Sequence, residues 1–118
     1  MIKIKRVYEE HDKQDGYRIL VDRLWPRGVS KEAAAVDLWL KEIGPSTALR
    51  NWFSHDEKKW EGFRRKYFKE LETKAQLVEQ IRGLRKNERV ITLLFGAKDE
   101  QHNQAVVLKE YLSDHGVK

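Results

Sequence analysis

The 118-residue chain contains no cysteine, only two prolines, seven glycines and one methionine. Without cysteine there can be no disulfide scaffold, thiolate zinc site, iron–sulfur cluster or cysteine nucleophile. That absence also fits a reducing compartment, so a cytoplasmic location is the expectation. Proline and glycine are too scarce for a flexible linker, and neither low-complexity segments nor repeats occur. Residues 1–118 are therefore expected to form one domain. Mean hydropathy is -0.77, and no long uncharged apolar run is present, which argues against a membrane span. The opening MIKIKRVY alternates charged with apolar residues and does not read as a secretory signal. The four histidines, His11, His55, His102 and His115, show no HExxH or paired ligand spacing, so no metal site is expected. The phosphate-loop and nucleophile-elbow patterns are missing too.

What the chain does have is charge. Charged residues make up 36% and hydrophobic residues 40%, with a net charge of +5. That apolar share is enough for one core at this length. The positive surplus lies in residues 1–31, with 8 basic against 5 acidic groups, and in 56–89, with 11 against 7. A basic excess attracts anions, from small molecules to nucleic acid.

Periodicity predicts the elements. Ile2 and Ile4 alternate with lysines at strand spacing. Asp15-Gly16 is a turn signal, and Tyr17 to Leu24 reads as a second strand, stopped by Trp25-Pro26-Arg27-Gly28. Ser30 is a cap for a short turn through Ala34. Residues 36–43 fit either period and are taken as a strand. Gly44-Pro45-Ser46 opens a helix carrying Leu49, Trp52 and Phe53. Ser54 to Glu57 has the S-x-x-E form of a capping box, and Thr73 to Gln76 the T-x-x-Q form, so helices are expected from each. Arg89 to Phe95 is the clearest strand, with the continuous and largely apolar run VITLLF, and is therefore central. A last helix starts near Asn103. The fold class is α/β: a compact layered domain with a mixed or largely parallel sheet of about four strands and helices packed on it. The connection over 9–16 is too short for a helical crossover, so the first two strands are either a hairpin or not adjacent.

In such sheets ligands gather beyond the carboxyl ends of the strands. Asp22, Arg23, Arg27 and Gly28 follow the second strand. Gly44, Ser46 and Arg50 follow the third. Gly96, Lys98, Asp99 and Asn103 follow the last. If the strands are parallel, these loops share one edge. Pro26 and Gly28 stiffen the turn that carries Arg27, whose planar guanidinium suits phosphate or carboxylate. Asp99 and Asn103 are equally suited to capping the final helix. On the helix after Ser54, Trp60, Phe63, Tyr67, Phe68 and Leu71 share one face, and Arg64 falls within it. An arginine there needs a carboxylate, an anionic ligand or a route for its head to solvent. His55 is either an acid–base group or a first-turn surface residue.

The segments VDRLWPRG at 21–28, KEIGPSTALRNWFSH at 41–55, WEGFRRKYFKEL at 60–71 and LLFGAKDEQHNQAVVLKEYL at 93–112 resemble the YeaO-like family of small bacterial proteins. The resemblance implies a compact α/β domain in a bacterial cytoplasm and no assigned activity. Its motif positions fall on Arg23, Trp25, Pro26, Arg27, Gly28, Trp39, His55, Tyr67, Lys98, Asp99 and Asn103.

Three functions follow. The favoured one is a strand-edge pocket for an anionic, phosphate-bearing small molecule. Arg23, Arg27, Gly28, Arg64, Gly96, Lys98 and Asn103 would bind it, with His55 and Asp99 as acid–base candidates and Tyr67 as a donor. The second is a nucleic-acid module using Lys58, Lys59, Arg65, Lys66 and Lys69 with an exposed aromatic residue. The third is a partner-binding protein without site chemistry. No cofactor is indicated by the sequence.

Overall fold

The computed structural model describes residues 1–118. Four strands, β1 (Ile2–Arg6), β2 (Tyr17–Leu20), β3 (Leu38–Trp39) and β4 (Ile91–Phe95), form a sheet in the order β1-β4-β2-β3. Every pairing is parallel: Ile2 to Arg6 run beside Ile91 to Phe95, and Tyr17 to Leu20 run beside Ile91 to Leu94. The helices are α1 (Lys31–Ala34), α2 (Thr47–Phe53), α3 (Trp60–Glu72), α4 (Ala75–Asn87) and α5 (Gln104–Asp114). None is long and apolar enough to cross a membrane.

Strand alternation divides the core. Ile2, Ile19, Val21, Ile91, Leu93 and Phe95 point to a front face. There they meet Leu49, Phe53, Phe63, Tyr67, Val78, Ile81 and Leu108 from α2 to α5. The back face holds only a small apolar cluster, Val7, Leu20, Ala34 and Leu94, joined by Trp25, Val29 and Val36. β4 is buried along its whole length, Thr92 included, as its run of large apolar residues demands.

Polar chemistry completes the thin back layer. Arg18 is fully buried on β2. Its guanidinium pairs with Asp15 and donates to the carbonyls of Ala34 (2.7 Å) and Ala35 (3.1 Å). Lys5 Nζ reaches Asp15 Oδ2 at 3.0 Å, and Thr92 Oγ1 donates to the Asp15 carbonyl at 2.6 Å. A buried cation is tolerable because its donors are met by this set. The same contacts explain the first connection. Residues 7–16 cross behind β4 through a single 3-10 turn at Lys13–Asp15, so β1 and β2 are parallel but not adjacent. Gly16, at φ 65°, presses so close to Val90 that a Cβ would stand 2.3 Å from its carbonyl oxygen.

Several expected boundaries move. β2 ends at Leu20 rather than Leu24: the Val21 N–H still donates to the Leu94 carbonyl, and from Asp22 the chain leaves the sheet as a loop. Of residues 36–43, only Leu38–Trp39 pair as a strand, and Lys41–Ile43 turn as 3-10. Ser54 is not an N-cap: it is the left-handed C-cap of α2, and Asp56 caps the next turn. Thr73 closes α3, its hydroxyl donating to the Glu70 carbonyl, and α4 starts with no side-chain cap. Ser30, Ser46 and Asn103 do cap their helices.

Asp15→Ala leaves Arg18 buried without its carboxylate, and breaking such a pair costs about 3–5 kcal/mol. Urea unfolding should register a loss of that order. Burial pushes the Asp15 carboxyl up, but the Asp12 backbone N–H, Lys5 and Arg18 together pull it below the ordinary carboxylate value. Its stabilisation is therefore present above about pH 4 and lost as pH falls below that, and the acid limb of the wild-type stability curve should flatten in the variant.

Candidate functional site

All four strands end at one edge. There β1 and β2 send the chain to the back, through residues 7–16 and α1, while β4 sends it to the front, through α5. The departing loops part beside β4, the kind of crevice where open α/β sheets hold ligands. A cleft of about 440 Å³ opens at this point. Its walls are Tyr8 after β1, Asp22 to Arg27 after β2, Pro45, Arg50 and His55 around α2, Gly96 and Ala97 after β4, and Gln104 of α5. A recess of about 80 Å³ shares Arg50, His55 and Gln104 with the cleft and extends towards Phe53, Phe63 and His102.

Aromatic donors hold the arginine-bearing loop in shape. Trp39 Nε1 donates to the Asp22 carbonyl at 2.7 Å, and Trp25 Nε1 to Val29 at 2.8 Å. The two indoles meet edge to face, 5.4 Å apart. The Tyr8 hydroxyl donates to the Arg27 carbonyl at 2.8 Å, and Arg23 Nε to Pro45 at 2.8 Å. His55 reaches the cleft because Ser54 and His55 are both left-handed, at φ 44° and 56°. Such conformations are uncommon without glycine and concentrate at functional sites.

The charges are unevenly satisfied. Asp22 Oδ2 accepts the Gly96 N–H at 2.9 Å, and Oδ1 accepts from Gln104 Nε2. A Cβ on Gly96 would lie 2.9 Å from that carboxylate, so glycine is what lets the backbone approach. Burial raises the Asp22 carboxyl to about 6, against smaller lowering effects from Gly96, Gln104 and Arg50. Arg23 also faces the exposed Glu42 at 3.6 Å. Arg50 has one weak side-chain contact, Nη2 to Thr47 Oγ1 at 3.3 Å. Its Nε is the one buried side-chain polar atom in the chain without a hydrogen-bond partner. Arg23, Arg27 and Arg50 thus share the cleft wall with one carboxylate, Asp22.

Of the residues singled out from sequence, Arg23, Arg27, His55 and Gly96 line this cleft. Gly28 lines a neighbouring cavity with Glu9, Glu10 and Glu32. Asn103 caps α5 through the N–H groups of Ala105 and Val106 and borders the recess. Lys98 is exposed and forms no part of the cleft wall. Asp99 accepts the N–H groups of Gln101 and His102 and meets His102 Nδ1 at 2.9 Å; the Gln101 N–H first, then His102, hold its carboxyl below the usual value. Tyr67 is fully buried, its hydroxyl pushed up by burial and donating to Ile43 at 2.7 Å. Arg64 lies on the outer side of α3, where its Nε donates to Glu110 at 2.9 Å. The nearest approach to a metal-ligand set is Glu57, Asp99 and His102, within 4.8 Å of one another, with Asp99 already spent on its turn. The sequence placed Asp22 and Arg50 on this edge without giving either a ligand-binding role, and it pointed to neither Tyr8 nor Gln104. Asp22 and Arg50 carried a signal, each following a strand that ends at this edge, whereas Gln104 carried none.

Because the native Asp22 carboxyl holds its proton more tightly than the unfolded one, its ionisation destabilises the fold. The penalty grows from about pH 4 to pH 6 and is complete above that, at about 3 kcal/mol. Asp22→Asn keeps an acceptor for Gly96 and should remove the penalty. Urea unfolding should find it more stable than wild type at pH 7.5 and similar at pH 4.

Three relatives place the chain. It is 44% identical over 111 residues to uncharacterized protein YeaO of Escherichia coli (strain K12), covering 94% of this chain and 96% of that one. It is 36% identical over 114 residues to uncharacterized protein Rv3073c of Mycobacterium tuberculosis (strain ATCC 25618 / H37Rv) and to uncharacterized protein Mb3100c of Mycobacterium bovis (strain ATCC BAA-935 / AF2122/97), covering 95% of this chain and 93% of each. No solved structure matches it. Residues 1–117 match the family described as the Inactive DUF488-N3 subclade, and with the YeaO likeness spanning nearly the whole chain, the protein belongs to this YeaO-like family.

Proposed function

We propose that the cleft binds an anionic, phosphate-bearing small molecule and that the protein acts by binding rather than turnover. The observation that carries this reading is Arg50: a buried guanidinium nitrogen without an acceptor, in the wall of an open cleft. A donor left unmet in this way costs about 1–3 kcal/mol, and the outer guanidinium N–H groups of Arg50, held only by a 3.3 Å contact to Thr47, are the ones an anion in the cleft would meet. Arg23 and Arg27 add charge at the same place, and the aromatic hydrogen bonds behind them keep their loop in position. The family's description as an inactive subclade supports binding without catalysis.

A second reading has one observation in its favour. Trp52 is 38% exposed and lies over Gly62 of α3, between Lys59 and Lys66, whose ammonium groups sit 5.2 and 5.0 Å from its ring centre. An exposed aromatic residue flanked by cations is what a single-stranded nucleic acid uses for stacking.

Thermal unfolding at low ionic strength tests the first reading. Inorganic phosphate should raise the wild-type midpoint, Arg50→Met should abolish the rise, and Arg64→Met, outside the cleft, should leave it intact. For the second reading, a labelled single-stranded oligonucleotide titrated at increasing salt should bind in low salt, weaken steeply as salt rises, and bind poorly to Trp52→Ala.

A further inference from the structure

The cleft holds two opposite charges that do not neutralise each other. Asp22 is fixed at both ends: its carbonyl accepts from Trp39 Nε1, and its carboxylate from the Gly96 N–H and Gln104 Nε2. These partners are neutral, so they orient the carboxylate without cancelling its charge. Arg50 stands on α2, a separate element, with its Nε unpaired. Neither residue takes part in any salt bridge of the chain, although Arg50 is close enough for its charge to lower the Asp22 carboxyl slightly. Opposite charges facing one cavity normally close on each other, since a contact pair is the low-energy arrangement. Here backbone and tryptophan contacts hold one of them away.

A carboxylate is also out of place in a pocket meant for a bare anion, which it would repel. Gln104 strengthens the point. With its Nε2 given to Asp22, this residue of the cleft wall has only its amide oxygen, an acceptor, left to offer a ligand. The cleft therefore has an anion-seeking end and an end that seeks donors.

We propose that the ligand is bifunctional: a phosphate monoester whose anionic head meets Arg50 and whose body carries a hydroxyl or ammonium donor for Asp22 and Gln104. This rests on the reading of the cleft as an anion site. The donor has two chemical sources, a polyol phosphate or an aminoalkyl phosphate, and both share the pattern of an anion with a donor a few bonds away.

Calorimetric titration of the full chain with four probes tests it: inorganic phosphate, propyl phosphate, ribose 5-phosphate and O-phosphoethanolamine. At least one donor-bearing ester should bind about tenfold or more tightly than propyl phosphate, as expected for a hydrogen bond to a charged group. Which one does so identifies the donor source. In Asp22→Asn that preference should shrink to about threefold or less while propyl phosphate binding persists, and Arg50→Met should weaken every probe. Equal affinity for propyl phosphate and both donor-bearing esters would overturn the proposal yet leave the anion site standing. A preference unchanged in Asp22→Asn would overturn it as well. If no probe binds, both readings fall together.

Discussion

The buried guanidinium of Arg18 is the constraint from which the rest follows. The sheet needs both faces covered because its central strand is buried throughout, yet the four longest helix-forming stretches all pack on one side. The other side receives only a short connection, a one-turn helix and a loop. Such a layer buries too little apolar surface to hold itself by the hydrophobic effect alone. Arg18 ties it together by donating to Asp15 in the connection and to Ala34 and Ala35 at the end of α1. Ala35 takes a left-handed conformation there. The loop from Asp22 to Val29 spans the distance between β2 and α1, so anchoring α1 also anchors the cleft.

Much of this architecture was legible in the chain, and the errors share a cause. VITLLF reads as a central strand because Thr92 alone interrupts its apolar run, and β4 is one. Ser30 and Ser46 read as helix starts because each precedes a helical stretch, and both cap, Ser46 while its hydroxyl also donates to Glu70. Ser54 and Thr73 carry the same short pattern but lie between consecutive helices, where a hydroxyl can end one element as readily as start another. Asp56 and the tight turn at Ser54-His55 decided the first case. Residues 21–24 have strand composition, but β3 offers only two residues for pairing, and Trp39 bonds the Asp22 carbonyl instead of extending the ladder.

The site was legible to the extent that it depends on strand ends. Once the sheet is parallel, Arg23, Arg27 and Gly96 must share an edge. Arg64 and Tyr67 could not be placed this way, because a helical wheel gives the face of a helix but not its neighbour. Arg64 met Glu110 of α5, and Tyr67 met a backbone carbonyl of the core. Asp99 and Asn103 took up local turn and capping bonds, the commonest use of short polar side chains at a helix start. Gln104 matters only because α5 brings it against Asp22, a contact 82 positions apart in sequence.

The strand order carries a consequence for how this polypeptide is made. β1 and β2 touch no common ladder until β4 slides between them, and β4 is synthesised after three quarters of the chain. A nascent chain on the ribosome therefore has front-face helices to assemble early but no sheet to lay them on. Registry arrives in one late step, through pairings such as Ile2 with Ile91 that span most of the sequence. Non-local closure of this kind is slow, and until it happens the apolar sides of the helices and of the two waiting strands stay open to solvent and to chaperones.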